Sequence, residues 1–383
     1  VYHREPPPRG KNIQPACGQL QSAKIQVVPT AVVEAPPVAA TSMITPPAIP
    51  AKSLLGAVFL LGALLSFLGS VLPVWGYHRL EAFELAGDHF LAMALGFVLG
   101  NAFTNLASLR FPRLFLEPLP GCVFAMAGVA LIALLPPPYP LQWQLVGALL
   151  LGLALGSLTV VIFHHIGVVY RFNSPSVFQL SGLVAIAGVL ATPLVVALVA
   201  IPAGSFALLA FAVLPIGIAL GSMRKARSTA PPSMDPPQAF VKAFEDFRNP
   251  ATLLLSLLLF FQLGNEVALL GWLPLFLIQR VGVSPEVAVY GLATFVFAIL
   301  AGRTACQALR ERARRNRVLL GGLSLSVLGC LMLLSTNNLF GAFLGLSLAG
   351  TGFAPVFPMA LDHMARRFPY YHPGVMNAVF GMG

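Results

Sequence analysis

Glu266 stands in the middle of an apolar run, residues 251–279, with Gln262 and Asn265 before it and Trp272 after it. At about 100° per residue these four fall within one arc of a helix, so one face of the run is amphipathic. A charge at the centre of a hydrocarbon layer costs roughly 3 kcal/mol on insertion scales, and such groups face a bundle interior or a water-filled path. Glu266 is therefore a candidate for proton exchange or ligand binding, with an aromatic surface and two amides beside it. The competing reading is a structural carboxylate bonded to a neighbouring helix.

Weaker polar faces occur elsewhere. Ser66 and Ser70 share one in the run 54–75, as do Ser157 and His164 in 141–168, and Thr351 lies on another in 339–361. These hydroxyls serve a ligand or bond their own backbone carbonyls. His164 is placed to exchange protons near neutral pH, or to bond carbonyls at a helix end. His164 and His165 diverge by about 100° on a helix, and no further ligand stands nearby, so no metal and no cofactor is expected. The four cysteines form no C-x-x-C pair and read as apolar fillers. Nor is there a Gly-x-x-x-x-Gly-Lys-Ser/Thr loop, a Gly-x-Ser-x-Gly or a His-Glu-x-x-His, so the chain is not expected to be an enzyme.

The elements that hold these residues follow from composition. Of 383 residues 57% are hydrophobic and 9% charged, too few charges to cover a water-facing body of this size. A helix needs about 20 apolar residues to cross a bilayer. Spans are predicted near 54–75, 88–109, 119–135, 141–168, 176–201 and 203–222, then near 251–279, 285–309, 317–335 and 339–361. An eleventh begins around 373, and the length of the first half makes the chain a fragment that lacks the rest of that span and a twelfth. If the N-terminus is cytoplasmic, every basic residue but Arg79 and Arg280 falls on the cytoplasmic side. The net charge of +10 is thus topological and no nucleic-acid partner is expected.

The expected fold class is an all-α polytopic membrane protein. Residues 1–52 form a disordered Pro-rich cytoplasmic tail, 53–222 a six-helix bundle, 223–250 a cytoplasmic linker and 251–383 a second bundle. The pairs Gly96–Gly100, Gly152–Gly156, Gly217–Gly221 and Gly341–Gly345 mark close helix packing. Pro73 and Pro274 are expected to kink spans one and seven.

The stretch Leu263–Arg303 carries Gly264, Glu266, Gly271, Trp272 and Gly302–Arg303, and a Gly-rich, Phe-Pro-broken stretch follows at Gly345–Pro369. In these motifs the chain resembles the fucose-permease-like branch of the major facilitator superfamily, which contains sugar:proton symporters. The resemblance implies the major facilitator fold of two six-helix bundles, an inner or plasma membrane location and a monomer working by alternating access. A small polar solute, a sugar or related metabolite, would be coupled to a proton through Glu266. Arg303, Asp362 and Arg366 are expected at a cytoplasmic gate, Asp362 pairing with one of the arginines. The first-half signature of the superfamily is eroded at Gly100–Arg113, and the carboxylates of spans one and four are missing. An exporter of drugs or hydrophobic metabolites is the runner-up, and a polytopic membrane enzyme a distant third.

Overall fold

Small residues and interhelical hydrogen bonds hold this bundle together, because lipid tails are as apolar as leucine and burial alone cannot drive membrane helices together. The computed structural model describes residues 51–79, 83–201, 204–226, 250–309 and 315–359, all within one compact unit that begins at Pro46. The Pro-rich tail, the centre of the linker and the eleventh span lie outside the described residues.

Span one is α1 (Ala51–Leu65) and α2 (Phe67–Val71), followed by α3 (Phe83–Arg110), α4 (Leu119–Leu134) and α5 (Leu141–Val195). After a 3-10 turn over Ser205–Ala212 come α6 (Val213–Ala226), α7 (Pro250–Val281), α8 (Pro285–Leu309), α9 (Arg315–Ser335) and α10 (Leu339–Phe353). Seven helical stretches are long and apolar enough to cross a membrane, and three shorter apolar helices join them, Ser53–Leu65, Leu119–Leu134 and Ser205–Gly221. Each coincides with one of the ten expected spans. The chain is a multi-pass membrane protein, and no strand occurs among the described residues. Leu91, Leu106, Leu320, Leu331 and Leu334 point outward, as lipid-facing residues must.

The helical run α5 supplies two spans that pack on different partners. Span four (Leu141–His165) runs parallel to α3: Gly96 lies against Leu149 and Gly152, Gly100 against Leu153, and Thr104 Oγ1 donates to Ser157 Oγ at 2.9 Å. Span five (Leu180–Val199) runs parallel to α1 instead. There Gly62 lies against Ala185 and Gly188 against Phe59, while Ser66 Oγ donates to the Val189 carbonyl and Thr192 Oγ1 to the Ala63 carbonyl, both at 2.9 Å.

The second set of helices repeats the first. Gly121 packs against Ala154, and Gly128 against Gly147, where α4 crosses span four; Gly322 packs against Gly352, and Gly329 against Gly345, where α9 crosses α10. Both glycine pairs on the crossing helices are seven residues apart. Spans one and seven show the same spacing, Gly62 and Gly69 against Gly264 and Gly271, and at Gly69 the two spans meet. A Cβ on Gly69 would run into the Leu270 carbonyl and the Gly271 backbone, so this crossing admits only glycine.

Two expectations about these motifs change. Gly217 and Gly221 face open space among the described residues and are no packing seam. Span one bends at Ser66, with φ −94° and ψ 0°, because the Ser66 hydroxyl bonds across to span five. The helix then ends at Val71, before Pro73, and residues 72–78 form turns, whereas Pro274 lies inside a continuous α7. Gly152→Val should destabilise the protein by about 1–3 kcal/mol, since its side chain meets the Met93 carbonyl, as a thermal-shift series in detergent will show.

Candidate functional site

Glu266 and Gln262 lie one helical turn apart on the same face of α7, and both are buried, at 5% and 4% exposure. Arg303 reaches them from α8 and is itself 6% exposed. Its Nη2 donates to both Glu266 carboxylate oxygens at 3.2 Å, so a single guanidinium nitrogen serves the whole carboxylate. A two-nitrogen fork would be stronger. Arg303 Nε is left without a hydrogen-bond partner, and so is Gln262 Nε2.

The other side of the guanidinium rests on Phe357, whose ring centroid lies 5.1 Å from Arg303 Cζ, a cation–π contact. Gly182 of span five completes the wall: a Cβ there would sit 3.6 Å from Phe357 and 4.0 Å from Arg303 Nη1. The pair thus faces Gly182 of span five while belonging to spans seven and eight.

Arg303 had been expected near the cytoplasmic gate with Asp362 or Arg366. Those two lie outside the described residues, and Arg303 pairs with Glu266 instead. The reason is depth: α8 continues to Leu309, so Arg303 sits about 9 Å inside the helix end. Asn265 and Trp272 also part from Glu266. Asn265 is exposed, one residue and about 100° round the helix from it. Trp272 is about 9 Å further along α7 and tilts against Phe90 of α3, with ring centroids 5.0 Å apart.

The remaining candidates bond elsewhere. Ser70 Oγ donates to the Ser66 carbonyl at 2.8 Å, and Thr351 Oγ1 to the Ser347 carbonyl at 2.8 Å. Ser66 and Ser157 make the interhelical bonds described above. The His164 ring stands edge-on to that of His165, which bonds the Leu116 carbonyl through Nε2 at 2.7 Å.

Sequence reading passed over a second polar cluster, at the far end of spans one, two and four. Tyr77 donates its hydroxyl to Gln144 Oε1 at 2.6 Å, and its ring packs on buried His89 at 4.9 Å. His89 Nδ1 bonds the Leu85 carbonyl at 2.7 Å. The signal available was a Tyr just past the end of span one and a His and a Gln near the starts of spans two and four, with no motif to join them. Tyr77→Phe should cost about 1–2 kcal/mol, because it strands a buried Gln144 acceptor, and a denaturant titration will read it.

An apolar multi-helix bundle with seven helices long enough to cross a bilayer defines a polytopic membrane protein. The model of the Major Facilitator Superfamily matches residues 176–383, and the chain belongs to that superfamily. An uncharacterised MFS-type transporter of Yersinia pestis is 33% identical over 94 residues, 24% of this chain and 24% of that protein. The match therefore spans about a quarter of that curated relative.

Solved structures share the fold along most of the chain. A variant of the E. coli fucose:proton symporter FucP superposes with a TM-score of 0.58 at 16% identity, covering 86% of this chain and 87% of its own. A mutant of the nucleoside transporter NupG gives 0.61 at 13% identity, covering 86% of each. A bacterial homologue of the human lysosomal transporter Spinster, inward-facing and unoccupied, gives 0.56 at 15%, covering 86% and 78%. At these identities the likeness establishes the fold. It is that of secondary transporters.

Proposed function

We propose that the protein couples the movement of a small polar solute to a proton, with Glu266 as the coupling carboxylate. The observation that carries this is the Glu266–Arg303 pair, buried between α7 and α8 and facing Gly182 of span five. A buried ion pair is a poor stabiliser, because desolvation offsets most of the attraction, so its retention at membrane depth asks for a functional reason. A proton arriving at Glu266 competes with Arg303 for the carboxylate, changes the charge of the site and shifts the balance between two arrangements of the halves.

The Gly69–Gly271 crossing supports a moving part. At Gly69 it is sealed by backbone contact, and Phe90–Trp272 and a Gln279 bond to the His78 carbonyl at 3.4 Å lie toward the same end. By the distribution of basic residues this end is extracellular, with the N-terminus cytoplasmic in an inner or plasma membrane. The protein works as a monomer in this reading, since each step lies within one chain. The fucose:proton symporter FucP offers a precedent for the coupling.

The test is accumulation in proteoliposomes. A gradient with acid outside should drive solute uptake that a protonophore collapses. Uptake indifferent to the gradient and to the protonophore contradicts the proposal.

A further inference from the structure

Resting on the proton coupling proposed above, we infer that the solute enters as a monoanion, held through a carboxylate by Arg303 and Gln262. Three features of the site lead there. The first is its unfilled donors: Arg303 Nε and Gln262 Nε2 have no partner, although the two residues are only 6% and 4% exposed. A buried donor without an acceptor is costly and rare, and a guanidinium offers no acceptor of its own. What completes this site must bring acceptor oxygens.

The second feature is the edge of the guanidinium that becomes free. Nη2 now serves both oxygens of Glu266 while Nε is unoccupied beside it. Protonation of Glu266 loosens that attachment and releases the whole Nε–Nη2 edge, whose fork matches the two oxygens of a planar carboxylate. Gln262 Nε2, one turn away on the Glu266 face, supplies a further donor. Phe357 holds the guanidinium plane from the other side.

The third is net charge. Among the described residues the atoms placed against Arg303 come from Glu266, Phe357 and Gly182, and of these Glu266 alone is titratable. With Glu266 ionised and no ligand the site is neutral. It is neutral again when a proton sits on Glu266 and a monoanion on Arg303. A proton without the anion leaves a bare buried cation, and the anion without the proton leaves an excess negative charge. Both are disfavoured by desolvation at this depth. Proton and anion therefore favour each other's binding and cross together, with no net charge moved. A neutral sugar carried with a proton would leave Arg303 unpaired throughout.

The experiment uses the reconstituted protein in vesicles containing a pH-sensitive dye, protein-free vesicles serving to subtract diffusion. Glucuronate is compared with glucose, and lactate with lactamide, so that each pair differs in its charge. The expected result is that a carboxylate moves protons inward with it while its neutral counterpart does not, and that a potassium–valinomycin potential leaves the rate unchanged. Gln262→Ala should weaken the apparent affinity for the carboxylate roughly tenfold or more, as loss of a bond to a charged acceptor does. If a neutral solute enters with a proton and an inside-negative potential speeds it, the inference is overturned while proton coupling stands. If neither carboxylate nor neutral solute moves protons above protein-free vesicles, the coupling itself fails and the inference with it.

Discussion

Glu266→Ala is expected to destabilise the protein by about 3–5 kcal/mol, more than any other single truncation in this region, because it strands the buried Arg303 cation. Arg303→Leu should cost a similar amount by stranding the carboxylate. The double variant Glu266→Leu with Arg303→Leu should recover most of that loss, since two apolar side chains need no partner and are often neutral or stabilising in place of a buried pair. Thermal denaturation in detergent of Glu266→Leu, Arg303→Leu and the double variant forms a double-mutant cycle that isolates the pair. Additive losses would mean that the two groups do not interact and that the 3.2 Å geometry is irrelevant to stability.

Gly69→Leu should abolish transport, at least about a hundredfold in rate, with little loss of fold if the halves separate at this point. Its side chain cannot share space with the Leu270 carbonyl and the Gly271 backbone, so spans one and seven are held apart. Leaving that end open should make a cysteine placed at Trp272 react with a membrane-impermeant thiol reagent in the variant and resist it in the parent. Gly62→Leu is the contrasting case. Gly62 packs within the first set against Ala185, so its variant should lower thermal stability and leave the accessibility of position 272 unchanged.

Much of the fold was legible along the chain, because a bilayer demands long apolar helices and seven of the ten spans announce themselves by length. The face of α7 was legible in part: Gln262 and Glu266 are one turn apart and do share it, but a helical arc says nothing of depth, so Trp272 was grouped with groups about 9 Å away. Arg303 was legible as a residue and not as a partner. It stands 37 positions from Glu266, and only the packing of α8 on α7 brings them together. Gly182 gave no signal at all, since its part is to leave room, and Phe357 stood out only as part of a Phe-Pro break, with nothing to say that its ring meets Arg303. The seven-residue glycine spacing in spans one and seven was in plain sight. Its meaning needed the knowledge that Gly69 and Gly271 touch.

The most direct measurement concerns Glu266→Gln, which keeps the shape of the side chain but can no longer lose a proton. Two assays on the same proteoliposomes separate the steps of the cycle, solute exchange between loaded faces and net accumulation driven by a pH gradient. If release of the proton from Glu266 is what returns the empty carrier, the variant exchanges labelled solute close to the parent rate and accumulates none. Accumulation at the parent level, with the gradient still required, would show that the coupling proton binds somewhere other than Glu266.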